Sequence, residues 1–170
     1  MEKYIICSDI HGRKEIFRDM LAQASEMTGG NIDGIIIAGD LETDPSYITD
    51  AVYQTITSDC SINMVAGNCD GWHRYSTGRL PDSLKIDTKS GHRIFVGHGH
   101  LMYPLRTDMI SYLTESEGCD IAVFGHTHMI MNEKCGGVLI LNAGALKDRS
   151  YMILTPDNDG GPSAVSYRVS

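Results

Sequence analysis

Residues 34–38, Gly-Ile-Ile-Ile-Ala, form an unbroken apolar run that stops at Gly39-Asp40. No other stretch limits the fold of the chain more. A strand without polar alternation is covered on both faces, the habit of parallel sheets packed between other layers. The flanking segments meet that requirement. Residues 4–7 are apolar and end in Ser8-Asp9. Residues 13–27 have helical spacing, with Ile16, Phe17, Met20, Leu21 and Ala24 on one face. Residues 45–57 predict a second helix, capped by Thr43 or Asp44 ahead of Pro45. Residues 62–66 read as a third strand ending in Gly67-Asn68. The order is βαβαβ, which favours a parallel sheet.

The second half is richer in strands. Residues 84–88 and 93–96 flank Lys89-Ser90-Gly91-His92, a hairpin-like turn, and residues 129–134 and 138–142 flank Cys135-Gly136-Gly137. Between these hairpins lie a helix candidate over 107–117 and a strand over 120–124. Residues 151–154 and 164–169 close the chain around the turn-rich stretch 156–162. One α/β domain over residues 1–170, with two stacked sheets and flanking helices, fits this order.

The chemistry gathers where the apolar runs stop. Five segments end with a glycine beside a metal-type ligand: Ser8-Asp9-Ile10-His11-Gly12, Gly39-Asp40, Gly67-Asn68, Gly97-His98-Gly99-His100 and Gly125-His126-Thr127-His128. Five of the seven histidines lie in them. Ligands of open α/β sheets bind just beyond the carboxyl ends of the strands, so these segments deliver their polar groups to one rim. The pairs Asp9/His11, His98/His100 and His126/His128 are spaced two apart, which in extended chain points both members to the same side. Carboxylate, imidazole and amide oxygen without thiolate suit Mn, Fe, Co, Ni or Zn better than Ca or Mg.

In this order, the blocks D-x-H-G, G-D, G-N-C-D, G-H and G-H-T-H resemble the calcineurin-like metallophosphoesterase superfamily. The short chain and Gly67-Asn68-Cys69-Asp70 are closest to its small bacterial and archaeal phosphodiesterase branch. The resemblance implies a four-layer αββα sandwich of two mixed sheets flanked by helices. It also implies two divalent metal ions, with Mn²⁺ as the common activator. One would be held by Asp9, His11, Asp40 and His128, the other by Asp40, Asn68, His98 and His126, with Asp40 bridging. The implied reaction is hydrolysis of a small phosphodiester by in-line attack of a hydroxide shared between the ions.

The assignments beyond the metals are less uniform. Many members carry a histidine directly after the metal-binding asparagine, taken to protonate the leaving group; this chain has Cys69 there. A thiol is a poorer acid for an alkoxide, and Cys69 also reads as a small packing residue. Asp40, Asn68, Cys69 and His100 are the candidate catalytic set. Arg13, Cys69, His73 and His100 are the candidate substrate contacts. For Arg13 the alternative is a solvated residue at a helix start, and for His73 an ordinary surface or subunit-contact loop over 71–82.

A formal net charge of -8 and an isoelectric point near 5.2 argue against a broad nucleic-acid-binding face. That weighs against a nuclease of the same superfamily. No G-x-S-x-G elbow supports a serine hydrolase. Five cysteines without C-x-x-C spacing read as reduced thiols of a cytoplasmic protein. The first residues enter a strand pattern at once, which predicts no signal peptide, and no apolar run reaches the length of a membrane span. The competing class is a non-catalytic scaffold like the retromer subunit that shares this architecture. A homo-oligomer is compatible with the resemblance, although no residue argues for it.

Overall fold

The computed structural model describes residues 1–56, 59–71, 75–157 and 160–170. The described elements follow the expected order, with small shifts at their ends. They are β1 (Tyr4–Cys7), α1 (Lys14–Thr28), β2 (Gly34–Ile37), α2 (Pro45–Thr55) and β3 (Ser61–Met64). Then come β4 (Ser83–Asp87), β5 (Arg93–Gly97), α3 (Thr107–Ser116), β6 (Ile121–Phe124), β7 (Ile130–Cys135) and β8 (Val138–Ala143). A short 3-10 turn (Leu146–Asp148) leads to β9 (Ser150–Thr155) and β10 (Ser163–Arg168). Thr57 of the expected second helix, and Asn158 and Asp159 of the expected last turn, lie outside the described residues.

Two mixed five-stranded sheets result, ordered β10-β9-β1-β2-β3 and β4-β5-β6-β8-β7. In the first, β1, β2 and β3 run parallel and β9 and β10 are antiparallel additions. In the second, β5, β6 and β8 run parallel between antiparallel β4 and β7. β3 stops earlier than its apolar run because the Ala66 N–H turns away to donate to the carbonyl of Pro81.

Strand alternation sorts the apolar side chains into layers. Ile5, Cys7, Ile35 and Ile37 face outward and meet Phe17, Met20 and Leu21 of α1 and Ile48 and Val52 of α2. Ile6 and Ile36 face inward and meet Val96, Val123, Leu141 and Met152 between the sheets. Ala122, Phe124 and Ile140 on the far face of the second sheet are covered by Ile110 of α3. This is the αββα sandwich, and it explains why residues 34–38 carry no polar side chain. Each fully buried isoleucine contributes about 1.5–3 kcal/mol.

The helix ends follow local chemistry. Asp44, the residue before Pro45, caps α2 by accepting the Ser46 N–H at 2.9 Å. α1 closes on Gly29 in the left-handed region.

Candidate metal centre

The loops leaving β1, β2, β3, β5 and β6 converge at one rim, and all seven residues expected as ligands belong to them. Asp9 and Asp40 are buried at the centre. Around Asp9 Oδ1 stand His128 Nε2 at 3.0 Å, His11 Nε2 at 3.8 Å and His98 Nε2 at 3.9 Å. Around Asp40 Oδ2 stand His98 Nε2 at 3.3 Å and His11 Nε2 at 3.8 Å. Asn68 Oδ1 lies 3.1 Å from His98 Nε2 and 3.0 Å from His126 Nδ1. Ligand atoms about 2.0–2.2 Å from a shared ion stand roughly 3–4 Å from each other, as these atoms do.

The i, i+2 pairs do not lie in extended chain, contrary to the expectation from their spacing. Asp9 and His11 have φ of 53° and 47°, and His126 and His128 have 68° and 58°, all left-handed; Asp40, at 52°, joins them. The third pair is broken by Gly99 at φ 108°. The histidines of a pair therefore diverge: His126 reaches Asn68 while His128 reaches Asp9. Left-handed backbone at a residue other than glycine costs about 1–3 kcal/mol. Lacing between loops holds it here. Asp9 N–H donates to Gly39 O, His11 N–H to Asp40 O and Gly12 N–H to Leu41 O, while the Lys147 N–H donates to Asp9 O.

The flanking glycines serve close approach. A Cβ on Gly125 would come within 2.6 Å of Ser8 Oγ and 2.8 Å of Asp9 Oδ2. A Cβ on Gly67 would sit on the Asp40 carboxylate and backbone nitrogen.

Outer partners orient the rings. His98 Nδ1 lies 2.6 Å from the Ala38 carbonyl, so Nδ1–H donates there and Nε2 faces the carboxylates. Glu42 Oε2 lies 2.5 Å from His11 Nδ1 and turns His11 Nε2 inward. That Nε2 is buried and has no hydrogen-bond partner. Burial alone would raise the Asp40 carboxyl, but His98 and the Cys69 N–H, 2.8 Å from Oδ1, hold it well below the usual carboxylate range. Burial pulls His98 down, and Asp40 with the Ala38 carbonyl raises it above its ordinary value nonetheless.

Cys69 stands beside the centre, its sulfur 3.4 Å from the Asn68 amide nitrogen. Burial, then the contact with Asp40, push its thiol up to about 12. His100 has its ring 5.4 Å from that of His98 and 6.4 Å from that of His126, and its Nδ1 is buried without a partner. Burial first, and then those two histidines, hold its pKa below the ordinary value. Arg13 is exposed at the start of α1, in a groove lined with Lys14, Glu15 and Arg149 that no residue of the centre lines. His73 lies outside the described residues.

Three supporting residues carry roles that the sequence did not assign, Asp70 among them although it stands in the G-N-C-D block. Asp70 is buried and accepts the N–H groups of Leu41 (3.0 Å), Glu42 (3.1 Å) and Gly67 (2.9 Å) and the Tyr75 hydroxyl (2.6 Å), tying the second and third loops together. Asn142 donates to Gly125 O (2.8 Å) and Thr127 Oγ1 (3.1 Å) and accepts the Gly144 N–H (2.9 Å), holding the fifth loop. Its signal was present: residues 138–142 are another apolar run ending in a polar residue near a glycine. Glu42 follows Asp40 by two, without a glycine beside it.

Two stacked mixed sheets with carboxylates and imidazoles gathered at one rim describe a metallophosphoesterase fold. The chain belongs to the calcineurin-like phosphoesterase superfamily, whose domain profile matches residues 3–159. It is 31% identical over 162 residues to the probable metallophosphoesterase YsnB of Bacillus subtilis (strain 168), covering 91% of this chain and 85% of that one. Vacuolar Protein Sorting 29 of Cryptosporidium parvum has the same fold, with a TM-score of 0.73 at 17% identity over 99% and 98% of the two chains. So does a structure described as a novel archaeal phosphodiesterase, with a TM-score of 0.68 at 20% identity over 97% and 99%. Among the described residues no helix is long and apolar enough to cross a membrane.

Proposed function

We propose that the chain is a phosphodiesterase that works with two divalent metal ions. Asp9, His11, Asp40 and His128 would hold one ion; Asp40, Asn68, His98 and His126 would hold the other, with Asp40 shared. The observation that carries this reading is the buried, partnerless His11 Nε2, 3.8 Å from both central carboxylates and fixed in that direction by Glu42. An unpaired buried nitrogen costs about 1–3 kcal/mol, and a bound cation removes that cost. The oxygen and nitrogen donors suit Mn²⁺ among other ions, and the proposed ions are Mn²⁺. When bound, such ions supply hydroxide near neutral pH and neutralise charge on a phosphate.

The leaving group favours a diester. Two ions and the carboxylates of Asp9 and Asp40 would leave about +2, enough to hold a phosphate ester of either kind. The leaving oxygen of a monoester needs a proton more urgently. Cys69, with its thiol pushed up to about 12, is a poor donor. His100, kept neutral at neutral pH, is better suited to accept or orient than to donate. The protein's own part is to hold the ligands, shield Asp40 with the Cys69 N–H and set the rings. A cytoplasmic location belongs to this reading, supported by five unpaired cysteines.

The test is hydrolysis of bis-p-nitrophenyl phosphate against p-nitrophenyl phosphate by metal-stripped protein, with and without Mn²⁺. Diester turnover that appears with the metal is the expected result. No turnover with any divalent ion would move the chain to the scaffold class, and partner capture would follow.

A further inference from the structure

Tyr103 lies on the segment joining β5 to α3 and is 68% exposed. The hydroxyl of so exposed a tyrosine normally points into water. Here Oη lies 3.2 Å from Nε2 of His126, the ring nitrogen opposite the one that faces Asn68. The two rings meet edge to face, with centroids 6.0 Å apart and planes at 87°. The hydroxyl end of Tyr103 is thus anchored at the centre, while most of the ring stays open.

The segment beneath is seated. Met102 and Leu105 pack against the core on the far face of the second sheet. The Met102 N–H donates to Gly99 O and the Arg106 N–H to Pro104 O. Leu101, two residues before the tyrosine, is also exposed, at 67%. An open aromatic ring hydrogen-bonded to His126 stands beside the proposed metal centre, within reach of a group carried by a phosphate ester bound there.

We infer that Tyr103 is the specificity wall of the centre, and that the preferred diester carries an aromatic ester group, an aryl or nucleobase-bearing alcohol, that stacks on it. This rests on the phosphoester reading above and deepens it. Phosphate contacts are common to every diester, so the ring contact is where selection among ester groups arises. Stacking of this kind is worth about one order of magnitude in affinity.

The experiment measures calorimetric affinities of Mn²⁺-loaded protein for methyl(phenyl)phosphinate and dimethylphosphinate, which carry one charge and two groups as a diester does and are inert to hydrolysis. Wild type is expected to bind the phenyl compound ~10-fold tighter. That ratio should fall to near one in Tyr103→Ser and survive within ~3-fold in Tyr103→Phe, which keeps the ring and loses the hydroxyl. Equal affinity in wild type, or a preference that survives in Tyr103→Ser, overturns the inference. So does a drop in Mn²⁺ affinity in Tyr103→Ser with the phenyl preference intact, which would make Tyr103 a positioning partner of His126 only. A wild-type dimer that Tyr103→Ser dissociates, with no phenyl preference, would give the ring to a second copy of the chain. Failure to bind either phosphinate would instead undo the phosphoester reading itself.

Discussion

Glu42 holds His11. Its carboxylate lies 2.5 Å from Nδ1, and the opposite ring nitrogen faces Asp9 and Asp40 with no other partner. Carboxylates behind metal-bound imidazoles set ring direction and raise donor strength, and their loss commonly costs 10–100-fold in metal affinity. Glu42→Gln should therefore lower Mn²⁺ affinity by about tenfold or more with the melting temperature of the metal-free protein little changed. Titration calorimetry on both proteins checks this.

The glycines at the strand ends make a second prediction. Gly67→Ala places a methyl group where the Asp40 carboxylate lies, and the neighbour is backbone as well as side chain, so it cannot simply step aside. Mn²⁺ binding should be lost, and diester turnover with it, at more than ~100-fold. Gly71→Ala, with nothing near its added Cβ, is the control and should bind metal like wild type.

Asp33 links the two sheets at the edge away from this chemistry. It accepts the Lys3 N–H at 3.0 Å and pairs with Lys89 Nζ at 2.7 Å, on the turn between β4 and β5. Burial would raise its carboxyl, but Lys89 and the Lys3 N–H hold it below the ordinary 3.8. A depressed carboxyl stabilises the fold above its unfolded value and loses that contribution as pH falls through its folded value. Wild type should melt above Asp33→Asn at neutral pH, and the gap should close below about pH 4. Melting curves across pH measure it.

Cys69 stands beside the centre, next to Asn68 and bonded through its N–H to Asp40, where a leaving-group acid would act in the proposed reaction. The Cys69 thiol stays protonated at neutral pH in the metal-free protein, pushed up to about 12, and donates poorly. Cys69→His puts an imidazole where many family members carry one. Monoester hydrolysis should rise ~10-fold or more, since a placed general acid contributes about 10²–10⁴-fold. Diesters with acidic leaving groups should change little. A p-nitrophenyl phosphate assay beside the diester assay gives the ratio.

How far the sequence could be read follows from the same physics. The run 34–38 announced burial on both faces because an all-apolar strand has no other use, and the sandwich bears this out. The rim was legible because Asp9, Asp40, Asn68, His98 and His126 each end such a run. The route by which the pairs meet was not. Period-two alternation assumes extended backbone, whereas Asp9, His11, His126 and His128 are left-handed and held so by bonds between loops far apart in sequence. The roles of Glu42, Asp70 and Asn142 were hidden for a related reason. Their partners are backbone groups and rings brought near only by the fold, so neither the place of Asp70 in the G-N-C-D block nor the apolar run that leads to Asn142 on β8 says what they hold. The ring of Tyr103 was equally invisible, since nothing in residues 99–106 says that its hydroxyl ends at His126.

Diffraction from crystals of the Mn²⁺-loaded protein at the manganese absorption edge tests the central claim most directly. Two anomalous peaks about 3.5–4 Å apart are expected, one among Asp9, His11 and His128 and one among Asn68, His98 and His126, with Asp40 between them. A single peak, or peaks away from His11 Nε2, would contradict it.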